Sequence, residues 1–458
     1  MELAGKKVVV LGIARSGIAA AKMLVSSGAQ VTANDIKTET ELAGESEELK
    51  SLGVELALGG HPQELFMSAD LIVQSPGVPA DLAPLQKARQ AGVKIISEVE
   101  FAARFLKGRL IGITGSNGKT TTTTIIGELM RAAGAKTIVG GNIGTPLTSL
   151  VKQSSDDSWL VAELSSFQLE TIDTLRANVA VVTNITPDHL DRHGSFENYM
   201  RAKHRIFLNQ TDSDWAVLNA DDQGVTEAVS SLGVRSHKIW FSSKGALSAQ
   251  LYLRDGYICT NLVSGDGSEN RVVAIDQLQI PGMHNVENVM AALGAVFCAM
   301  GIKTDQLAPL VDAITQFKGV EHRIEFVAEI SGAKFYNDSK ATNVDSTIKA
   351  LEAFSGNVIL ILGGKDKGGD FSVLAPLIRE RVKHIILIGA ASDKIAAQLA
   401  DTQSMTRATS MEDAVSKSMA IASSGDTVLL APACASFDMF DNYEHRGRVF
   451  KDAVRRSV

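Results

Sequence analysis

Cysteine, surplus basic charge and long apolar runs are all scarce in this 458-residue chain, and each scarcity removes a class of function. Cys259, Cys298 and Cys434 lie far apart without metal-ligand spacing, so they read as free thiols of a reducing cytoplasm. A formal net charge of −7 offers nothing that attracts polyanions globally, which argues against nucleic-acid partners and membrane surfaces. The longest apolar run, VMAALGAVFCAMGI (289–302), is too short to span a bilayer and fits a buried helix. The start, MELAGKKVVVLGIARSG, lacks the apolar core and cleavage site of a secretory leader. No membrane insertion is therefore expected, and the expected location is cytoplasmic. Internal repeats and low-complexity tracts are absent as well. What remains is an ordinary globular composition, 45% hydrophobic and 21% charged, in a chain long enough for about three domains.

Short apolar runs alternate with helical patterns along the whole chain. KKVVVLGI, AQVTANDI, ADLIVQSPGVP and VKIISE read as strands, with GIAAAKMLVSSG as a helix, giving a doubly wound α/β domain over 1–97. SWLVAELSS, ANVAVVTNIT and DWAVLNADD continue as parallel strands of a central domain, 98–319, with a small antiparallel excursion over 242–276. GNVILILGG, VKHIILIGAA and GDTVLLAPA repeat the alternation in 320–458. The expected class is α/β in three domains: a Rossmann-like N-terminal domain, a central P-loop ATPase-like parallel-sheet domain, and a Rossmann-like C-terminal domain.

The sharpest motif is also incomplete. ITGSNGKTTTTT (113–124) carries the Gly-Lys-Thr of a phosphate-binding loop, yet Ile113 stands where the usual first glycine belongs. The physics survives the shortening. Gly115 and Gly118 let backbone N–H groups converge on phosphate oxygens, and the helix that follows adds its positive end. Lys119 reaches β- and γ-phosphates, and the Thr120 hydroxyl suits Mg²⁺. Glu163, ending a predicted strand, is either a second Mg²⁺ contact or a solvated carboxylate. His189 falls in a turn after another strand. Lys203, among Arg201, His204 and Arg205, is open to reading as a solvent-exposed helix face. Asn285 and Asn288 share a helix face or cap the helix.

TGSNGKTT, GGNIG, ELSSFQLE, TNITPDHLDRHG, the RAK ending at Lys203, PGMHNVENVMAALGA and EHRIE together resemble the Mur ligase family, the ATP-dependent amide-forming enzymes of peptidoglycan precursor synthesis. The resemblance covers essentially the whole chain, and the short phosphate loop is the form this family uses. NDSKATN (337–343) and PACASFDMFDNYEHRG (432–447) look like the members that add D-glutamate to UDP-N-acetylmuramoyl-L-alanine.

The resemblance implies ATP contacts at Gly115, Ser116, Asn117, Gly118, Lys119, Thr120 and Thr121, and at Asn285, Asn288, Arg323 and Asp338 toward the adenosine end. It implies two Mg²⁺ ions held by Thr120, Glu163, His189 and a carbamylated Lys203, with Lys119, His189 and Lys203 as the catalytic set. D-Glutamate falls to Lys340, Thr342, Lys367, Ser436, Phe437 and Tyr443. The UDP-substrate falls to Ser16, Gly17, Asp35, Ile36, Lys37, Ser75, Gly77, Asn142 and Ser166, with Lys37 where some relatives carry arginine. Small-molecule substrates and a monomer are expected.

Other classes fit less of the chain. A kinase or hydrolase would explain 113–124 but leave NDSKATN and PACASFDMF without a task. A dinucleotide-dependent oxidoreductase would explain 6–37, although GIARSG puts Ala14 where the middle glycine belongs. A non-catalytic binding protein fits least, given lysine, threonine and acid in compatible order. Among ligases, the alternative is a sister enzyme adding another amino acid.

Overall fold

The computed structural model describes residues 2–457 apart from Ala80, Ile143, Leu247 and Lys367. It divides into two compact units, Met1–Ile275 with Val286–Ile314, and Asp276–Asn285 with Thr315–Val458. The first unit holds two sheets and the second holds one.

The N-terminal sheet is wholly parallel. Its strands are β1 (Lys7–Leu11), β2 (Gln30–Asp35), β3 (Glu55–Leu58), β4 (Leu71–Gln74) and β5 (Lys94–Ser97), in the order β3-β2-β1-β4-β5. KVVVL is buried from its second residue on, which suits a central strand covered by helices on both faces. The helix Arg15–Ser26 turns Ala19, Ala20, Ala21 and Leu24 inward, small side chains that let it lie close to the sheet. Strand order reverses between β1 and β4, so the loops leaving their carboxyl ends part and open a crevice.

The central sheet comprises β6 (Arg109–Thr114), β7 (Thr137–Gly141), β8 (Trp159–Glu163), β9 (Val179–Val182) and β10 (Trp215–Asn219). It continues through β11 (His237–Ser242), β12 (Leu251–Arg254), β13 (Tyr257–Thr260) and β14 (Asn270–Ala274). The order is β14-β13-β12-β11-β10-β9-β6-β8-β7, parallel from β7 to β12 and antiparallel from β12 to β14. The antiparallel excursion expected over 242–276 is thus an extension of the main sheet. The apolar run 289–302 lies largely within the helix Met283–Met300, where Gly294 packs close to Val217, Ile239 and Leu251. Among the described residues no single helix is long and apolar enough to cross a membrane.

In the second unit the strands are β15 (Glu325–Ile330), β16 (Ala333–Asn337), β17 (Val358–Leu362), β18 (Val382–Leu387), β19 (Met405–Arg407) and β20 (Thr427–Leu430). Their order is β15-β16-β20-β17-β18-β19, with β15–β16 an antiparallel hairpin and the rest parallel. This hairpin was not expected from the sequence, and neither were β3, β7, β11 and β19. β3, β7, β15 and β19 lie near or at a sheet edge with mostly half-covered residues, so they lack the continuous apolar run by which buried strands announce themselves.

Candidate active site

The phosphate loop leaves β6, which lies between β9 and β8 in the central sheet, and enters the helix Lys119–Ala132. Its two glycines are required by geometry. Gly115 sits at φ 147° and Gly118 at φ 81°, and an added Cβ would lie 2.0 Å from Thr183 Oγ1 or 2.2 Å from Asn288 Oδ1 respectively. The segment after β9 pins the loop from one side. Ser116 N donates to Asn184 O (2.9 Å), Asn117 N to Asn184 Oδ1 (2.8 Å), and Thr183 Oγ1 to Asn117 O (2.6 Å). Ser116 Oγ donates to Thr186 O at 2.9 Å and meets the Tyr199 hydroxyl at 3.0 Å. On the other side Asn288 Oδ1 accepts from Thr122 Oγ1 at 3.2 Å, well inside its helix. Neither Asn288 nor Asn285, which donates to Pro281 O at 2.7 Å, is a helix N-cap.

Two lysines meet on one carbonyl. Lys119 Nζ donates to Gly115 O (2.8 Å) and Ser116 O (2.7 Å), and Lys203 Nζ donates to the same Gly115 O at 2.7 Å. Lys203, on the helix Phe196–His204, is only 2% exposed, which overturns its reading as a solvated helix face. Burial, and then the neighbouring Lys119 ammonium, hold its amine well below the usual lysine range. Asp188 and Glu163 oppose that shift. Its basic sequence neighbours are engaged elsewhere: Arg201 with Glu197, Arg205 with Leu169 O and Ile172 O, and His204 with Gly233 O. The charge conflict is therefore with Lys119.

Glu163 is buried at the end of β8, which excludes the solvated alternative. Its Oε1 accepts from Asn142 Nδ2 at 3.1 Å, while the buried Oε2 has no hydrogen-bond partner. A buried carboxylate oxygen left without a donor is costly, and a cation satisfies it. Thr120, also buried, is the second residue of the helix that follows β6, the strand paired with β8. Hydroxyl and carboxylate oxygens are a hard donor set that suits Mg²⁺, which also takes ligands from phosphates and water. Among the described residues no three His, Cys, Asp or Glu side chains converge as a self-sufficient metal cage. His189 stands half exposed at φ 52°, a left-handed conformation uncommon outside glycine, with its ring edge-on to Phe167 at 5.0 Å. Ser166 Oγ meets His193 Nε2 at 3.0 Å, and His193 Nδ1 lies 3.1 Å from Glu170.

The loops at the carboxyl ends of β1, β2 and β4 gather Ser16, Gly17, Asp35, Ile36, Lys37, Ser75 and Gly77 at one end of the N-terminal sheet. Asp35 spends both oxygens on backbone N–H groups, those of Ile13 and Lys37, each at 3.0 Å. Ser75 Oγ donates to Gly12 O at 2.7 Å across the crevice. Ile36 and Lys37 are exposed.

In the second unit the adjacent strands β16, β20 and β17 send out NDSKATN, PACASFD and GGKDKGG from the same ends. An isolated bridge between Lys365 and Ala435 joins two of these loops. Ser436 is buried, Thr342 half-buried and Phe437 67% exposed. Lys340 Nζ lies 5.5 Å from the Tyr443 ring centre. Lys367 lies outside the described residues. Burial raises the Asp338 carboxyl to about 7, against the pull of Arg323, Lys340 and Arg446.

Sequence reasoning passed over the residue that ties the loops after β16 and β20. Arg446, 1% exposed, donates Nε to Ser339 Oγ (2.9 Å), Nη2 to Ser339 O (2.8 Å) and Nη1 to Cys434 O (3.1 Å). Its signal was its spacing: Arg446, Phe450, Ala453 and Val454 form the buried face of the helix Tyr443–Arg455.

Family models match all three domains: the Mur ligase MurD-like N-terminal domain at 6–97, the Mur ligase middle domain at 113–296, and the glutamate ligase domain at 322–434. The chain is 48% identical over 456 residues to UDP-N-acetylmuramoylalanine–D-glutamate ligase of Koribacter versatilis, covering 100% of this chain and 98% of that one. It is 47% identical to the relative of that name in Geotalea daltonii, covering 99% and 98%. Among solved structures, MurF ligase of Thermotoga maritima in complex with ADP has TM-score 0.60 and 16% identity, over 100% of this chain and 97% of that one. A pseudomurein peptide ligase type C of Methanothermus fervidus has TM-score 0.59 and 21% identity, over 99% and 100%. At those identities the solved structures speak for the fold, and the full-length relatives settle the rest: this chain belongs to the Mur ligase family.

Proposed function

We propose that the chain is an ATP-dependent ligase that joins D-glutamate to UDP-N-acetylmuramoyl-L-alanine, releasing ADP and phosphate. The observation that carries this reading is the meeting of Lys119 and buried Lys203 on Gly115 O, in a chain whose full-length relatives bear that name. Residues 1–97 take the UDP end of the substrate, 98–319 take ATP, and 320–458 take the amino acid. ATP and a nucleotide sugar as substrates place the reaction in the cytoplasm, with the chain acting as a monomer.

The substrate carboxylate attacks the γ-phosphate in line, forming a C–O–P bond as the bond to ADP breaks. The D-glutamate amine then attacks that carbonyl, and phosphate leaves. Lys119 exchanges its loop carbonyls for phosphate oxygens and offsets the repulsion between the two anions. The loop N–H groups and the helix start hold the phosphates in place. Asn285, Asn288, Arg323 and Asp338 serve the adenosine end.

Burial disfavours the charged form of Lys203, and its neutral amine is a nucleophile toward CO₂: its nitrogen bonds carbon and loses a proton to water. The resulting carbamate is an anion, which removes the clash with Lys119. Thr120, Glu163, His189 and that carbamate would hold two Mg²⁺ ions, which when bound neutralise charge between the reacting anions. His189 is a ligand in this scheme and no general base.

Lys340, Thr342, Lys367, Ser436, Phe437 and Tyr443 receive D-glutamate, two cations matching two carboxylates. Ser16, Gly17, Asp35, Ile36, Lys37, Ser75 and Gly77 receive the nucleotide, and Asn142 and Ser166 the sugar-peptide portion. The test is phosphate release with ATP and UDP-N-acetylmuramoyl-L-alanine, across amino acids of both hands. D-Glutamate should be used, D-glutamine poorly because a buried cation would be left unpaired, and L-glutamate not at all. Preference for another amino acid would move the chain to a sister ligase, and turnover without any amino acid would make it a hydrolase.

A further inference from the structure

The N-terminal and central sheets belong to one compact unit, and Arg192 crosses between the loops at their carboxyl ends. Its Nη1 donates to Pro76 O at 3.1 Å and its Nη2 to Val78 O at 2.9 Å, so one planar fork grips two carbonyls of the loop after β4. The guanidinium lies 3.8 Å over the Phe167 ring, on which His193 also stacks at 5.1 Å. That ring fixes the plane of the fork.

Both ends of this contact lead to binding loops. On one side, Val78 O also accepts from Gln74 Nε2 at 2.9 Å, and Ser75 Oγ reaches Gly12 O at the crevice between β1 and β4. On the other, Arg192 N donates to His189 O at 3.0 Å, so the fork rides on the same turn as His189, just beyond the strand-end segment 183–186 that pins the phosphate loop. A substrate whose nucleotide sits in the crevice and whose carboxylate reacts at the phosphate loop has its two ends joined covalently. The separation of the two loops must then match one molecule, and an error of about an ångström misplaces the reacting atom.

We infer that Arg192 is a positioning residue that sets the span between the nucleotide crevice and the phosphate loop, and so selects for the full-length substrate over its nucleotide end. The inference rests on the function proposed above. Loss of Arg192 leaves each loop with its own internal bonds, Ser75 to Gly12 on one side and Ser116 to Thr186 on the other. What changes is their relation.

The experiment compares Arg192→Ala and Arg192→Lys with wild type by calorimetry, using UDP, ADP and UDP-N-acetylmuramoyl-L-alanine as separate ligands. Kd for the full substrate should rise on the order of tenfold in both variants, as expected when a charged fork loses two hydrogen bonds. Kd for UDP and for ADP should stay within about twofold. Lysine should not rescue, because a point charge cannot hold two carbonyls at once. An unchanged Kd for the full substrate overturns the inference, and so does full rescue by lysine. An equal loss for UDP alone overturns it too, since the arginine would then merely fold the loop. If the alanine variant does not fold, the lysine variant decides alone. A wild-type chain that binds UDP and the full substrate equally removes the functional reading itself, a result distinct from variants that match a discriminating wild type.

Discussion

The phosphate-loop region of the first unit and the three-loop cluster of the second are built alike and held differently. Both stand at the carboxyl ends of adjacent parallel strands, β9-β6-β8 in one and β16-β20-β17 in the other. Both bury an ionisable side chain whose charged form is disfavoured, Lys203 and Asp338. The phosphate loop, however, is pinned by many small contacts from the segment 183–186, several of them to backbone. In the second cluster one guanidinium, Arg446, ties the loops after β16 and β20, and backbone bonds between Lys365 and Ala435 add the loop after β17. Distributed pinning tolerates the loss of one contact, whereas convergent pinning concentrates the cost in one residue. The first region is also where cations face the reaction, so its functional losses should be the larger.

The most severe expected loss is Lys119→Ala. In the proposed mechanism its ammonium meets the transferred phosphate, so turnover should fall on the order of 10³-fold or more with the fold intact. Near-normal turnover in steady-state phosphate release would rule out phosphoryl transfer at this loop.

Lys203→Ala should lose about 10²-fold, the scale of lost support around a bound metal. Acetate added to the assay should restore part of the activity by supplying carboxylate oxygens in the vacated space. A fully active alanine variant would show that the carbamate has no role.

How the two regions could be read from sequence follows from the same contrast. The phosphate loop is a contiguous string, so TGSNGKTT declared itself through spacing, and Gly115 and Gly118 are the glycines its geometry requires. The parallel strands β1, β6, β9, β17 and β20 were legible because both their faces are buried and each carries an unbroken apolar run of at least three residues. The hairpin β15–β16 was not, because half-covered residues leave no apolar run. Lys203 was ambiguous because charge neighbours in sequence say nothing of where each side chain goes. Arg446 escaped notice because its partners, Ser339 and Cys434, are 107 and 12 residues away. The spacing within its helix marks Arg446 as buried, but nothing local names the partners on which it converges.

Asp338 sharpens the comparison through pH. Its carboxyl stands at about 7 in the folded chain and near the ordinary aspartate value, about 4, when unfolded. Between those values the unfolded state has released a proton that the folded state keeps. Its contribution to stability is therefore full below about pH 4 and is lost as pH rises toward 7. Between pH 5 and 7 wild type should lose about 2 kcal/mol relative to Asp338→Asn, which carries no such proton. Urea unfolding of both proteins at the two pH values measures it. Parallel pH profiles would mean that the carboxyl is ionised in its buried place.

The smallest effects test the pinning itself. Asn184→Ala removes the acceptor of Asn117 N and a donor to Asn117 O, yet Ser116 keeps its bonds to Asn184 O and Thr186, and Thr183 keeps its bond to Asn117 O. The expected cost is below about 1 kcal/mol. Arg446→Lys retains the charge but cannot serve Ser339 Oγ, Ser339 O and Cys434 O together, so at least one buried carbonyl loses its donor. Here the cost should be nearer 2 kcal/mol, visible as a lower unfolding midpoint for the second unit. Function should divide in the same sense. Arg446→Lys should raise KM for D-glutamate and leave KM for ATP unchanged, because the loops it ties carry Lys340 and Ser436. Asn184→Ala should move KM for ATP slightly and KM for D-glutamate not at all. If Asn184→Ala proves the more damaging of the two, pinning is convergent in the first unit after all, and Asn184, which bonds Asn117 at two points, is where it converges.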